Sequence, residues 1–134
     1  MCPKKLKKNS DKKIEAPPQK LGRLEEEIRR YDKLILNKPD YAEAYYNRGV
    51  LFLQLGQLEA AIKNYDKAIL LKPDYAEAFN NRGIALQELG QLENAIESYD
   101  KAIQINPDYH GAYYNQGIAL RELGQLENAI ESCN

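Results

Sequence analysis

The string PDYAEA begins at Pro39 and again at Pro73, and PDY returns at Pro107, so the chain repeats at intervals of 73 − 39 = 34 and 107 − 73 = 34 residues. Residues 39–72 and 73–106 are identical at 21 of 34 positions, and 107–134 matches 73–100 at 20 of 28. So regular a period restricts the fold to a stack of one supersecondary unit, since no single unit can bury its apolar face alone. Within a unit the apolar residues fall into two blocks at helical spacing: Tyr45, Phe52 and Leu55, then Leu58, Ala61, Ile62, Tyr65, Ala68 and Ile69. The unit is a helical hairpin, and the expected fold class is an all-α solenoid.

The punctuation agrees. Asp40-x-x-Glu43 and Asp74-x-x-Glu77 have the form of capping boxes, and Asp108 supplies a cap without the Glu because Gly111 stands there. Gly56, Gly90 and Gly124 suit a left-handed residue closing each first helix, and Pro73 and Pro107 end each second helix. The expected helices are 41–55, 58–71, 75–89, 92–105, 109–123 and 126–133. Gly49, Gly83 and Gly117 fall inside first helices, at about 1 kcal/mol relative to Ala. Close approach to Ala61, Ala95 and Ala129 of the facing helix is the expected compensation. Tyr65 and Tyr99, with Tyr45, Phe79 and Tyr113, are expected to fill the wider gaps between hairpins.

The set Tyr45, Gly49, Phe52, Ala61, Tyr65, Ala68 and Pro73 returns as Phe79, Gly83, Ala95, Tyr99, Ala102 and Pro107. It resembles the tetratricopeptide repeat over residues 21–134, most nearly the repeats of prokaryotic proteins and of O-linked N-acetylglucosamine transferases. The resemblance implies a right-handed superhelical α-solenoid whose concave surface is lined by the first helices. One departure is that Arg48, Arg82 and Gln116 stand where the family usually has an apolar residue before the glycine.

On this frame 42–75 and 76–109 are full repeats and 110–134 is a truncated third. Residues 21–38 align with a second helix whose first-helix partner is missing. Glu27 and Leu34 stand there in place of Ala61 and Ala68, so 22–37 reads as a capping helix. At the other end the last helix is cut short at Cys133-Asn134, leaving Leu126, Ala129, Ile130 and Cys133 as an apolar strip suited to self-association, or to fraying if the chain is a fragment.

Charge separates tail from body. Residues 1–20 carry seven Lys against Asp11 and Glu15, or +5; with a formal net charge of −1 this leaves −1 − 5 = −6 on residues 21–134. The tail has few apolar residues and is expected to be disordered. Its lysines are read as solubilising, or as brushing the acidic body; attraction to an anionic surface or nucleic acid is the rival reading. Cys2 and Cys133 sit at opposite extremities of an elongated stack and are read as free thiols in a reducing compartment. No apolar stretch reaches the roughly 18 residues of a membrane span, and no apolar core follows the N-terminal lysines as in a secretory signal. The expected location is cytoplasmic.

By resemblance the groove is lined by Glu43, Tyr46, Asn47, Val50 and Gln54, then Glu77, Asn80, Asn81, Ile84 and Glu88, then Tyr114, Asn115, Ile118, Arg121 and Glu122. Asn47, Asn81 and Asn115 have mediocre helix propensity, and each amide offers a donor and an acceptor, as a peptide bond does. They resemble the asparagine ladder by which those transferases hold an extended peptide; bonding within the stack is the alternative. The carboxylate clamp of chaperone adaptors lacks its cations here, since the aligned places hold Glu43, Glu77, Tyr46, Asn80 and Gly111. A neutral to basic extended segment or partner protein is the expected ligand. No catalytic constellation, cofactor or metal site is read from the chain: His110 is its one histidine and has no Cys, Asp pair or second His beside it. An RNA-reading solenoid would need a basic groove, and this body is acidic. The sequence therefore points to a non-enzymatic interaction module. The alternatives are a repeat segment of a larger protein such as a glycosyltransferase, or a weak binder of anionic surfaces through the tail.

Overall fold

The computed structural model describes residues 17–133. The described residues form six helices: α1 (Pro18–Asn37), α2 (Ala42–Gln54), α3 (Leu58–Leu71), α4 (Ala76–Glu88), α5 (Leu92–Ile105) and α6 (His110–Glu131). Each packs on the next, so that the hairpins α2–α3 and α4–α5 stack between α1 and α6. In addition α2 touches α4, and α4 touches α6. First helices thus form one continuous row.

Between units the chain turns at Pro-Asp-Tyr. Lys38 is extended (φ −138°, ψ 84°), as the residue before a proline must be. The Tyr41 N–H then donates to the Lys38 carbonyl at 3.2 Å, closing a turn with Pro39 and Asp40 in its middle. The expected capping boxes do not form: the helices begin at Ala42, Ala76 and His110, and no side chain caps them. Asp40 and its equivalents are used in the turn, one residue too early to cap.

Within units the turn is made by glycine. Gly56 and Gly90 have φ of 75° and 85°. The Gly56 N–H donates to the Leu53 carbonyl and the Gln57 N–H to the Phe52 carbonyl, at 3.0 and 2.9 Å, the paired bonds of a left-handed helix terminus.

Two expectations about the glycines inside helices are corrected. A Cβ on Gly49 would stand 2.7 Å from Tyr65 Cε1, and one on Gly83 would stand 2.5 Å from Tyr99 Cε1. The tyrosine ring, rather than a facing alanine, is what excludes a side chain. Tyr65 and Tyr99 are fully buried inside their hairpins, not in gaps between them.

The third unit departs further. Residues 88–96 and 122–130 are the same nonapeptide, ELGQLENAI. The first copy breaks at Gly90, whereas the second runs on inside α6, so the expected helices 109–123 and 126–133 are one helix without a turn at Gly124. The difference lies beyond the nonapeptide. Where the second unit has Tyr99, the third has Cys133, and Gly117 meets nothing within 4 Å. Without the ring, the contact that seats α5 on Gly83 has no counterpart at Gly117.

Arg48, Arg82 and Gln116 each find an aspartate sixteen residues back, and the two arginines a second partner sixteen residues ahead. Arg48 donates to Asp32 (2.9 Å) and to Asn64 (2.7 Å), and Arg82 to Asp66 (2.6 Å) and Ser98 (2.7 Å). Gln116 donates to Asp100 at 2.6 Å. Asp32, Asp66 and Asp100 are themselves 34 apart, so each first helix is clamped to the second helix of the unit before it.

Both ends differ from the sequence reading in detail. α1 begins at Pro18, in the first-turn position proline favours, so residues 18–20 of the expected tail are helical; residues 1–16 lie outside the described residues. Glu27 and Leu34 are exposed, and Leu24 is the one buried side chain of α1. Cys133 is disulfide-bonded, contrary to the expected free thiol, and Cys2 lies outside the described residues.

Tyr99 donates its hydroxyl to Gln87 Oε1 at 2.8 Å. The equivalent Tyr65 hydroxyl is buried without a hydrogen-bond partner, because Leu53 stands where Gln87 does and the nearby Asn81 amide donates to Tyr46 instead. The expected result of Leu53→Gln is a gain of about 1 kcal/mol, read as a higher urea midpoint at unchanged slope.

Candidate functional site

The contiguous row α2, α4 and α6 carries every groove residue read from the sequence. Glu43, Glu77, Tyr114 and Arg121 are exposed; Tyr46, Asn47, Val50, Asn81, Ile84, Asn115 and Ile118 are half-buried; Asn80 is buried. The helical period makes this arrangement. Residues 43, 46, 47 and 50 fall on one face of α2, and 77, 80, 81 and 84 fall on the same face of α4 one unit on.

The polar centre of this face is a chain of amides. Asn115 donates to Asn80 Oδ1 at 3.2 Å, Asn80 to Asn81 Oδ1 at 3.3 Å, and Asn81 to the Tyr46 hydroxyl at 3.1 Å. The relay crosses α6, α4 and α2. Asn81 and Asn115 therefore each commit a donor within the stack, while no side-chain hydrogen bond holds Asn47 among the described residues. The three asparagines are alike in sequence and unequal in structure. Asn80, which lacks a 34-residue counterpart in the first unit, joins the other two; Tyr46 stands in its place there and receives the relay.

Beside the amides lies an aromatic wall. The Tyr46 ring is 4.9 Å from Tyr75 and 5.9 Å from Tyr65. Burial pushes the hydroxyls of Tyr46, Tyr75 and Tyr109 up from their ordinary value, and carboxylates add to the effect: Glu77 for Tyr46, Glu43 and Glu77 for Tyr75, and Glu77 together with Tyr46 for Tyr109. Glu43 and Glu77 thus act on the same wall of rings. Tyr75 and Tyr109 belong to the Pro-Asp-Tyr turns, and sequence reading assigned them no place in the groove. Their recurrence at the 34-residue interval was the available signal, masked because it reads equally as turn chemistry. At the α6 end Gln87 donates to Glu122, which closes that side with a hydrogen-bonded carboxylate.

Such a surface offers amide donors and acceptors, the half-buried rings of Tyr46 and Tyr109 backed by the buried Tyr75, and fixed negative charge. It suits a ligand that brings peptide groups and cationic or neutral side chains.

Comparison with known proteins accords with this architecture. A family model described as TPR repeat matches residues 20–56 and 51–90, and models described as tetratricopeptide repeat match 76–109 and 98–131. Among solved structures, MamA is 32% identical with a TM-score of 0.70, the match covering 78% of this chain and 61% of that one. The chain thus spans about three fifths of the MamA chain. The first TPR of Spaghetti (RPAP3), bound to the HSP90 peptide SRMEEVD, is 25% identical with a TM-score of 0.75 over 78% of this chain and 83% of that one. An O-GlcNAc transferase of Thermobaculum terrenum is 30% identical with a TM-score of 0.70, over 76% of this chain and 20% of that one. No curated protein matches the chain.

Proposed function

The chain belongs to the tetratricopeptide repeat family, and on that premise we propose that it is a non-catalytic interaction module whose concave α2–α4–α6 face binds an extended peptide or partner segment, neutral to basic in charge. The observation that carries this reading is the wall of Tyr46, Tyr75 and Tyr109 under the influence of Glu43 and Glu77, next to the amide relay. The RPAP3 domain shares the fold and is seen with a peptide ending in two glutamates, a valine and an aspartate. Here the glutamates at 43 and 77 repel such an end and attract lysine or arginine. Rings beside carboxylates strengthen that preference, since a cation over a ring gains about 0.5–2 kcal/mol according to its desolvation. Peptide backbone is held by the amides, with Asn47 the most available of the three ladder residues.

A synthetic peptide copying the Lys-rich residues 3–20 and an acidic peptide ending Glu-Glu-Val-Asp test this directly by fluorescence anisotropy. The expected result is at least about tenfold tighter binding of the basic peptide at low salt, with the difference shrinking as salt rises. Glu43→Lys with Glu77→Lys is expected to reverse the order. Equal binding of both peptides, or none by either, overturns the reading.

The open face at the end of the stack is a second binding surface, directed at another copy of the chain. Leu120 on α6 is 51% exposed there, whereas its counterpart Leu86 is 4% exposed.

A further inference from the structure

Both halves of one hairpin interface stand open in this chain. On α4, Gly83 lies against the Tyr99 ring and Leu86 is buried; on α6, Gly117 has no neighbour and Leu120 and Tyr113 are exposed. The matching surface is open as well. Leu92 and Ala95 of α5 are buried, while their counterparts Leu126 and Ala129 are half-buried and Ile130 is 56% exposed. The segment that would cover Tyr113, Gly117 and Leu120 is present, but the straight α6 carries it away from them.

We propose that two copies of the chain exchange residues 126–133, each laying this segment on the other's Tyr113, Gly117 and Leu120 while α6 stays straight in both. The proposal rests on reading this end as a self-association surface and specifies how the surface is used. In the second unit Gly83 faces Tyr99 across a turn at Gly90, an antiparallel pairing centred on that glycine. Opening the same hairpin at its turn and pairing it with an identical open one lets residues 126–132 make between chains the contacts that 92–98 make within one, with Cys133 in the place of the Tyr99 ring. The two-fold axis then passes by Gly124, where two α6 helices cross and neither has a side chain to obstruct the approach. Such an interface is self-complementary and closes after two copies. The nonapeptide ELGQLENAI shows both states in one molecule, turned at Gly90 and straight at Gly124.

Sedimentation equilibrium of the full chain, in reductant so that no disulfide contributes, is the test. The expected species is a reversible dimer. Leu120→Glu places a charge in the interface twice per dimer and is expected to raise Kd at least about a hundredfold. Inserting Gly-Gly-Ser after Gly124 lets the segment fold back on its own α6 and is expected to give a monomer whose circular dichroism remains helical. Gly124→Ala favours the straight helix and is expected to keep or tighten the dimer. A chain that stays monomeric at high concentration overturns self-association itself. A dimer that survives Leu120→Glu, or one that the insertion leaves intact, overturns the exchange specifically.

Discussion

Gly83→Ala is expected to destabilise the protein by about 2 kcal/mol, and the same substitution at Gly117 to stabilise it by about 1 kcal/mol. Alanine gains helix propensity at both places, so the sign is set by what the new methyl meets. At Gly83 it would stand 2.5, 2.8 and 2.9 Å from three atoms of the Tyr99 ring, which is fully buried. At Gly117 nothing lies within 4 Å. Gly49→Ala, 2.7 and 2.9 Å from two atoms of the Tyr65 ring, is expected to fall on the side of Gly83 with a somewhat smaller loss. Urea unfolding of the three variants gives the comparison. If all three are stabilised, the tyrosine rings are not what keeps these positions glycine.

Raising the pH is expected to unfold the stack through its tyrosines. Tyr65 and Tyr99 are 0% exposed, and burial pushes both hydroxyls well above their ordinary value, with the Glu122 and Glu88 carboxylates adding to the effect at Tyr99. The folded chain therefore holds these protons more tightly than the unfolded chain. Their stabilisation is complete below about pH 10 and is lost as the pH climbs beyond it. For each of the two rings the loss approaches about 1.4 kcal/mol per pH unit once the unfolded hydroxyl is ionised. Together they exhaust a marginal stability of about 5–15 kcal/mol within a few pH units. Tyrosinate absorbance and circular dichroism are expected to change in one cooperative step, steeper than free tyrosine titration. Tyr99→Phe keeps the ring, removes the ionisation, and moves that step to higher pH. Independent tyrosine titration with the helices intact would contradict the account.

The hairpins, the glycine turns at 56 and 90 and the stacking order were legible because they depend on period and on local backbone chemistry. The partners of the mid-helix glycines were not. Alanine and tyrosine recur at the same interval of 34, and periodicity alone cannot say which of two residues one turn apart meets the glycine. Gly124 shows the same limit more sharply: an identical nonapeptide takes two shapes because the deciding residue, Tyr99 or Cys133, lies outside it. On the groove face, resemblance found Asn47, Asn81 and Asn115 as equals. Their differences come from Asn80 and Tyr46, which occupy equivalent places in adjacent units; the asparagine stands in the second unit alone, between Tyr46 and Tyr114. Tyr75 and Tyr109 were hidden by having an evident role in the turns.

The clamp between units also sets the direction in which the stack comes apart. Two joints are fastened by a guanidinium on a carboxylate, Arg48 on Asp32 and Arg82 on Asp66, while the third, Gln116 on Asp100, is held by a neutral amide. In a one-dimensional array, stability is the sum of unit terms and nearest-neighbour couplings. The uncharged clamp lies beside the unit whose own hairpin is open, so at that end opening begins between α5 and α6 and travels inwards. At the other end α1, which buries only Leu24, comes away on its own. Amide hydrogen exchange is then slowest in the two hairpins α2–α3 and α4–α5 and faster in the helices that flank them.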